Sequence, residues 1–162
     1  MFFRRRATRD KDKEEDKEKE NNLNSINIEI LDSILDDDDD QFLQLISQNM
    51  VDGLNFNKRF EITNYKLPRI FSKGPTYSSL CAGLNAEKCF NALLSLFPEG
   101  IESQNFNLKD QYGRTPIHFA CFSGNLNILR TYYQAGFDLN LRDRTGKTPS
   151  HYSAVSGTTD VM

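Results

Sequence analysis

Apolar positions in this chain recur at helical spacing in short, separate blocks. Ile30, Leu31, Ile34 and Leu35 share one helix face, and Phe42, Leu45 and Ile46 form a second. Cys89, Phe90, Leu93, Leu94 and Phe97 make a third, stopped by Pro98 and Gly100. Ile117, Ala120 and Cys121 give a narrow face whose small residues let helices lie close. After Gly124 come Ile128, Leu129, Tyr132 and Tyr133, which read as core positions. The pattern predicts an all-α chain of short paired helices. Residues 50–74 interrupt it as a loop with a helical turn, where Leu67, Ile70 and Phe71 pin the loop to the helices. Residues 1–24 have no apolar period and too little apolar surface to offset backbone ordering, so they read as a disordered charged tail.

Two of the blocks are copies. Asp110-Gln-Tyr-Gly113-Arg-Thr115-Pro116-Ile117-His118-Phe119-Ala120 recurs as Asp143-Arg-Thr-Gly146-Lys-Thr148-Pro149-Ser150-His151-Tyr152-Ser153. The step from Gly113 to Gly146 is shared by the Asp, Thr, Pro and His positions. A fixed period in the range of about 20–50 residues marks stacked supersecondary units. A weaker copy starts at Gly74-Pro75, if Pro75 and Gly83 are set against Pro116 and Gly124. That step is longer than the one from Gly113 to Gly146. Asn107 to Asp110 realigns with Asn140 to Asp143 at the shorter step, which places an insertion between Phe97 and Asn107.

Each repeated position has a physical role. Thr115 is placed as an N-cap whose hydroxyl accepts from the His118 amide, and Pro116 takes the first helical position, where a missing N–H costs nothing. Gly136 ends the second helix in a left-handed conformation. Asp138-Leu139-Asn140 then leads into a hairpin tipped by Gly146. The string from Asp110 through Gly113, Thr115-Pro116-Ile117-His118 and Ala120 to Gly124 and Gly136 resembles an ankyrin repeat. The resemblance covers residues 107–157 closely and 74–106 more loosely. Phe42 to Ile46 and the later Cys89 to Leu94 resemble the divergent leader of protist ankyrin proteins.

The resemblance implies an ankyrin-repeat helical solenoid, with helix–turn–helix layers and short β-hairpin loops. The divisions are a tail at 1–24, a degenerate helical leader at 25–73, and repeats at 74–162. The repeats are divergent over 74–106, clear over 107–139 and truncated over 140–162. Ser150 and Ser153 stand where the family prefers Leu and Ala, so the last layer is expected to pack poorly. Residues 157–162 align with 124–129, so the chain is expected to be a fragment or the start of a longer array.

Charge narrows the partners. Residues 1–20 hold 8 basic and 7 acidic side chains, in a chain of net charge −3. The remainder is mildly acidic, which argues against nucleic acid, since phosphate contacts need clustered Lys and Arg. Arg4-Arg5-Arg6 is a short element suited to nuclear import or an anionic surface. No apolar run of about 18 residues predicts a membrane span. Cys81, Cys89 and Cys121 are odd in number and lack a CxxC pair, which fits a reducing compartment, the cytoplasm with the nucleus open.

Candidate chemistry is sparse. Asp36 to Asp40 read as helix-capping carboxylates rather than a calcium loop, which needs spaced oxygens and a glycine turn. His118 and His151 occupy equivalent positions, which the family uses for an internal hydrogen bond. Gly146-Lys147-Thr148 lacks the upstream glycine of a phosphate loop. No catalytic, cofactor-binding or metal-binding residue is expected, and no cofactor. The resemblance instead implies a protein partner bound at hairpin tips and first-helix faces: Gln111, Tyr112, Arg114, Phe122 and Ser123, then Arg144, Thr145 and Lys147, with Val155 and Ser156. Cys81 and Ala82 correspond in the weaker copy. Tyr112, Arg114 and Phe122 are the expected anchors. The expectation is a protein-interaction module, monomeric or part of a longer array; the alternative is the regulatory or docking part of a longer enzyme or channel.

Overall fold

A computed structural model describes residues 27–51, 66–97, 99–102 and 106–158. The charged tail at 1–24 lies outside them. Seven α-helices occur in these residues: α1 over 27–35, α2 Asp39–Val51, α3 Tyr77–Gly83, α4 Glu87–Ser95, α5 Pro116–Ser123, α6 Leu126–Gln134 and α7 Pro149–Ser156. No described residue is in a strand. The expected hairpins are instead tight turns, closed by Asp110 N–H to Arg114 O and Asp143 N–H to Lys147 O, both 2.9 Å.

One hydrogen bond identifies the layers. The amide that starts each second helix donates back into the helix before it: Asp38 to Ser33 O, Ala86 to Cys81 O and Asn125 to Ala120 O, at 2.9–3.0 Å, and Thr158 makes the same bond to Ser153 O after α7. The pair α1–α2 is therefore built on the same plan as α3–α4 and α5–α6. Between helices the chain must turn through the left-handed region. Gly124 does so at φ 78°, and Asn85 and Asp37 do so at 64° and 49° without being glycines.

These landmarks correct the register of the weaker copy. Thr76 caps α3 as Thr115 caps α5, and the same step relates Asn85 to Gly124 and Glu87 to Leu126. Pro75 stands before its cap rather than after it, and Gly83 is not the turn residue. The step is shorter than the pairing of Pro75 with Pro116 implies, and the insertion before Asn107 shrinks to match. Cys81 and Ala82 consequently align with Ala120 and Cys121. Both are fully buried, not surface positions.

Helix α2 packs on α4, α3 on α5, and α5 on α7. Ile30, Leu31, Ile34, Phe42, Leu80, Phe90, Leu93, Ile117, Phe119 and Ile128 are among the buried side chains. Phe106, immediately before Asn107, is fully buried against Phe90 and Phe97 at centroid distances of 5.6 and 5.7 Å, and its carbonyl accepts from the Tyr132 hydroxyl at 2.8 Å. Tyr132 is core as expected, whereas Tyr133 is 69% exposed. Leu35, expected on the buried face of α1, is exposed as well.

Polar contacts tie layer to layer. Asp37 Oδ1 accepts from the amides of Lys88 and Cys89 at 3.0 and 3.1 Å, so a side chain of the first layer caps α4 in the second. Asp38 caps its own helix through the Gln41 amide. Farther along, Asn125 donates to Asn85, and the Ser123 hydroxyl to Ala82 O.

Candidate functional site

The turns before α5 and α7 share one device. Asp110 Oδ1 accepts from the amides of Tyr112 and Arg114, both at 2.9 Å, and Asp143 Oδ1 accepts from those of Thr145 and Lys147 at 2.7 and 3.0 Å. Gly113 and Gly146 supply the positive φ that such a turn requires. The carboxylates face inward, and the tips stack: Gln111 N–H donates to Lys73 O, and Arg144 N–H to Tyr112 O at 2.8 Å.

The second carboxylate oxygen separates the two turns. Asp110 Oδ2 pairs with Arg114, whose guanidinium also donates to Ile70 O and lies over the rings of Phe119 and Tyr112. Arg114 is thereby only 4% exposed. Lys147 takes its place in the next turn and does not reach back; Asp143 Oδ2 instead accepts from the Tyr152 hydroxyl at 2.6 Å. The Lys147 ammonium is left exposed. Burial alone would raise the Asp143 pKa. Hydrogen bonds from Tyr152, Thr145 and the Lys147 amide outweigh it and hold the carboxyl at about 2. Burial and the neighbouring carboxylate push the Tyr152 hydroxyl up.

A cavity of about 450 Å³ opens over the first helices of the last two layers. One wall is Pro68, Arg69 and Ile70, at the start of the 3-10 turn Arg69–Lys73. Within that turn Phe71 is buried, packing on Phe119 at 5.5 Å between centroids and reaching over Gly83. The floor is Phe122 and Tyr152, both half-buried, and Val155, which is 77% exposed. Thr145, Lys147 and His151 complete the rim.

Of the residues expected to meet a partner, Tyr112, Arg114, Phe122, Thr145, Lys147 and Val155 line this cavity. Tyr112 is 42% exposed, with the Lys73 ammonium 5.7 Å from its ring centre. Arg114 contributes from below the surface, because Asp110 and Ile70 hold it. Gln111 and Arg144 are exposed on the tips outside the cavity and joined to one another, Arg144 Nη1 to Gln111 O at 2.9 Å. Ser123 also lies outside, its hydroxyl held by the previous layer. Ser156 is turned to Ser153 O and Thr158. Sequence reasoning missed Tyr152 and the Pro68–Ile70 wall. Tyr152 stands one period after the core residue Phe119, and nothing local marks the wall.

The histidines do not converge. Both close a capping box with the threonine before their helix. His118 Nδ1 accepts from the Thr115 amide at 3.1 Å, so the neutral ring carries its proton on buried Nε2, close to the Lys147 and Leu141 carbonyls. Burial lowers the His118 pKa against the pull of Asp143 and the Lys147 and Leu141 carbonyls. Its ring meets Tyr152 edge-on at 5.5 Å. His151 is exposed. Burial raises all three cysteine thiols, Cys89 to about 12 and Cys121 to about 11. Such thiols are poor nucleophiles.

A family model of ankyrin repeats (3 copies) matches residues 78–162, which begins inside α3 and spans the last three layers. The comparison with curated proteins finds no match.

Proposed function

The chain belongs to the ankyrin-repeat family, and from that premise we propose that it is a docking module that holds a protein partner over the first helices of its last two layers. Ankyrin repeats generally mediate protein–protein interaction and are typically non-catalytic. No described helix is long and apolar enough to cross a membrane. One observation carries the choice of face. Val155, 77% exposed, lines an open cavity together with half-buried Phe122 and Tyr152, while Arg114 ties the Ile70 wall to Asp110 and Tyr152 is hydrogen-bonded to Asp143. Exposed apolar side chains beside hydrogen-bonded neighbours suit a binding surface, because less further ordering opposes association.

In this reading Tyr112 and Phe122 are the aromatic anchors, Thr145 and Lys147 supply polar contacts, and Arg114 positions Tyr112 from beneath. The test is a photo-crosslinking amino acid placed at Val155 or, for comparison, at Tyr133 on α6. Protein adducts are expected from the first position alone, and Phe122→Ala is expected to reduce them without a matching fall in melting temperature. Equal yields from both positions, or adducts from Tyr133 only, would overturn the assignment.

A further inference from the structure

Charge is sorted along this molecule in a way its net value of −3 hides. Along the turns that meet the cavity, over residues 66–75, 109–114 and 142–147, the exposed ionic side chains include Lys66, Arg69, Arg142, Arg144 and Lys147. The only carboxylates in those stretches are Asp110 and Asp143. They are 0% and 7% exposed, each occupied by turn amides and by Arg114 or Tyr152. The aspartate run 36–40 joins α1 to the first turn of α2, at the other end of the helices, with Asp36, Asp38 and Asp40 exposed. Within these three stretches every exposed ionic side chain is therefore a cation.

Two of those cations, Arg69 and Lys147, stand on the cavity itself, facing an apolar floor of Phe122 and Val155. Resting on the docking reading above, we propose that this groove takes an acidic peptide segment. One aromatic or aliphatic side chain of the segment sits against Phe122 and Val155, and flanking carboxylates meet Arg69 and Lys147. At about 450 Å³ the space lies at the lower end of the range of about 300–1,000 Å³ for ligand pockets, enough for one large side chain and its neighbours. A basic segment would meet like charge on both rims. A phosphate polymer or a flat anionic membrane would satisfy the cations but leave the apolar floor wet.

The experiment selects short random linear peptides against the full chain by phage display. The winners are then measured by fluorescence anisotropy at low and high salt. Enriched peptides are expected to be net negative around one apolar residue. Their affinity should fall several-fold with added salt and about tenfold in the R69E/K147E double variant, whose exposed substitutions should leave the melting curve in place. Enrichment of neutral or basic peptides, no enrichment, or tighter binding to oligo-dT or phosphatidylserine vesicles overturns the proposal. Peptides indifferent to R69E/K147E but lost with Phe122→Ala and Val155→Ala keep the groove and remove the acidic assignment. Peptides indifferent to both pairs remove the docking face as well.

Discussion

Gly83 lies beneath the ring of Phe71: a Cβ at this position would stand 2.7 Å from Phe71 Cζ. Replacing a helical glycine by alanine ordinarily stabilises by about 1 kcal/mol. Here Gly83→Ala is expected to destabilise by about 1 kcal/mol or more, since the buried ring must move. Urea unfolding checks this. Phe71→Leu should relieve the clash, leaving the double variant more stable than the two single losses imply. A Gly83→Ala chain as stable as the parent would show that the ring yields freely.

Removing Arg114 leaves the Asp110 carboxylate buried beside an empty space. Arg114→Ala is expected to cost about 3–5 kcal/mol. Arg114→Lys should recover only part of that, because one ammonium replaces a fork that serves both Asp110 and Ile70. Chemical denaturation of the two variants gives the comparison, and equal stability of Lys and Arg at this position would count against the bridging geometry.

Asp37 joins the first layer to the second through two amides of α4. Asp37→Ala removes the acceptor and also strains a backbone at φ 49°, for an expected loss of about 1–2 kcal/mol. Asp37→Asn keeps an acceptor and tolerates the conformation, so its loss should be smaller. Hydrogen exchange at Lys88 and Cys89 should quicken in the alanine variant; unchanged exchange there would remove Asp37 as the cap.

Acid should weaken the fold in two steps. The His118 pKa lies below its ordinary 6.5 in the folded chain, so the unfolded chain takes up that proton first as pH falls. Stability from His118 is present above pH 6.5 and declines below it. Asp143 is held at about 2 against an ordinary 3.8, so its contribution is present above 3.8 and is lost as pH falls through about 2. Urea midpoints across pH, repeated with His118→Gln, should show the upper step disappear while the lower one stays.

Much of the stack is legible in the residues, and the failures have physical causes. The Thr-Pro caps and left-handed glycines recur at one fixed spacing, so the last two layers align by eye. The weaker copy slips out of register when Gly83 is made the turn, because Asn85 holds the left-handed position. An asparagine there is nearly silent in one sequence, and the aspartate at 37 more so. Arg114 reads as a free tip residue, although the aspartate one helical turn before it in the same loop is a signal for its burial. The Pro68–Ile70 wall has no local mark, since it depends on Phe71 finding Gly83 in the next helix.

Phe71 closes the first-helix side over Gly83, so among the described residues the open first-helix face begins at α5. Neighbouring helices lie about 8–10 Å apart, so each layer from α5 onward adds about that much width. A contact that engages α5 and α7 alone belongs with transient encounters, below about 1,200 Å² in total. Durable attachment to those two helices comes from avidity, with the same short segment repeated along one partner.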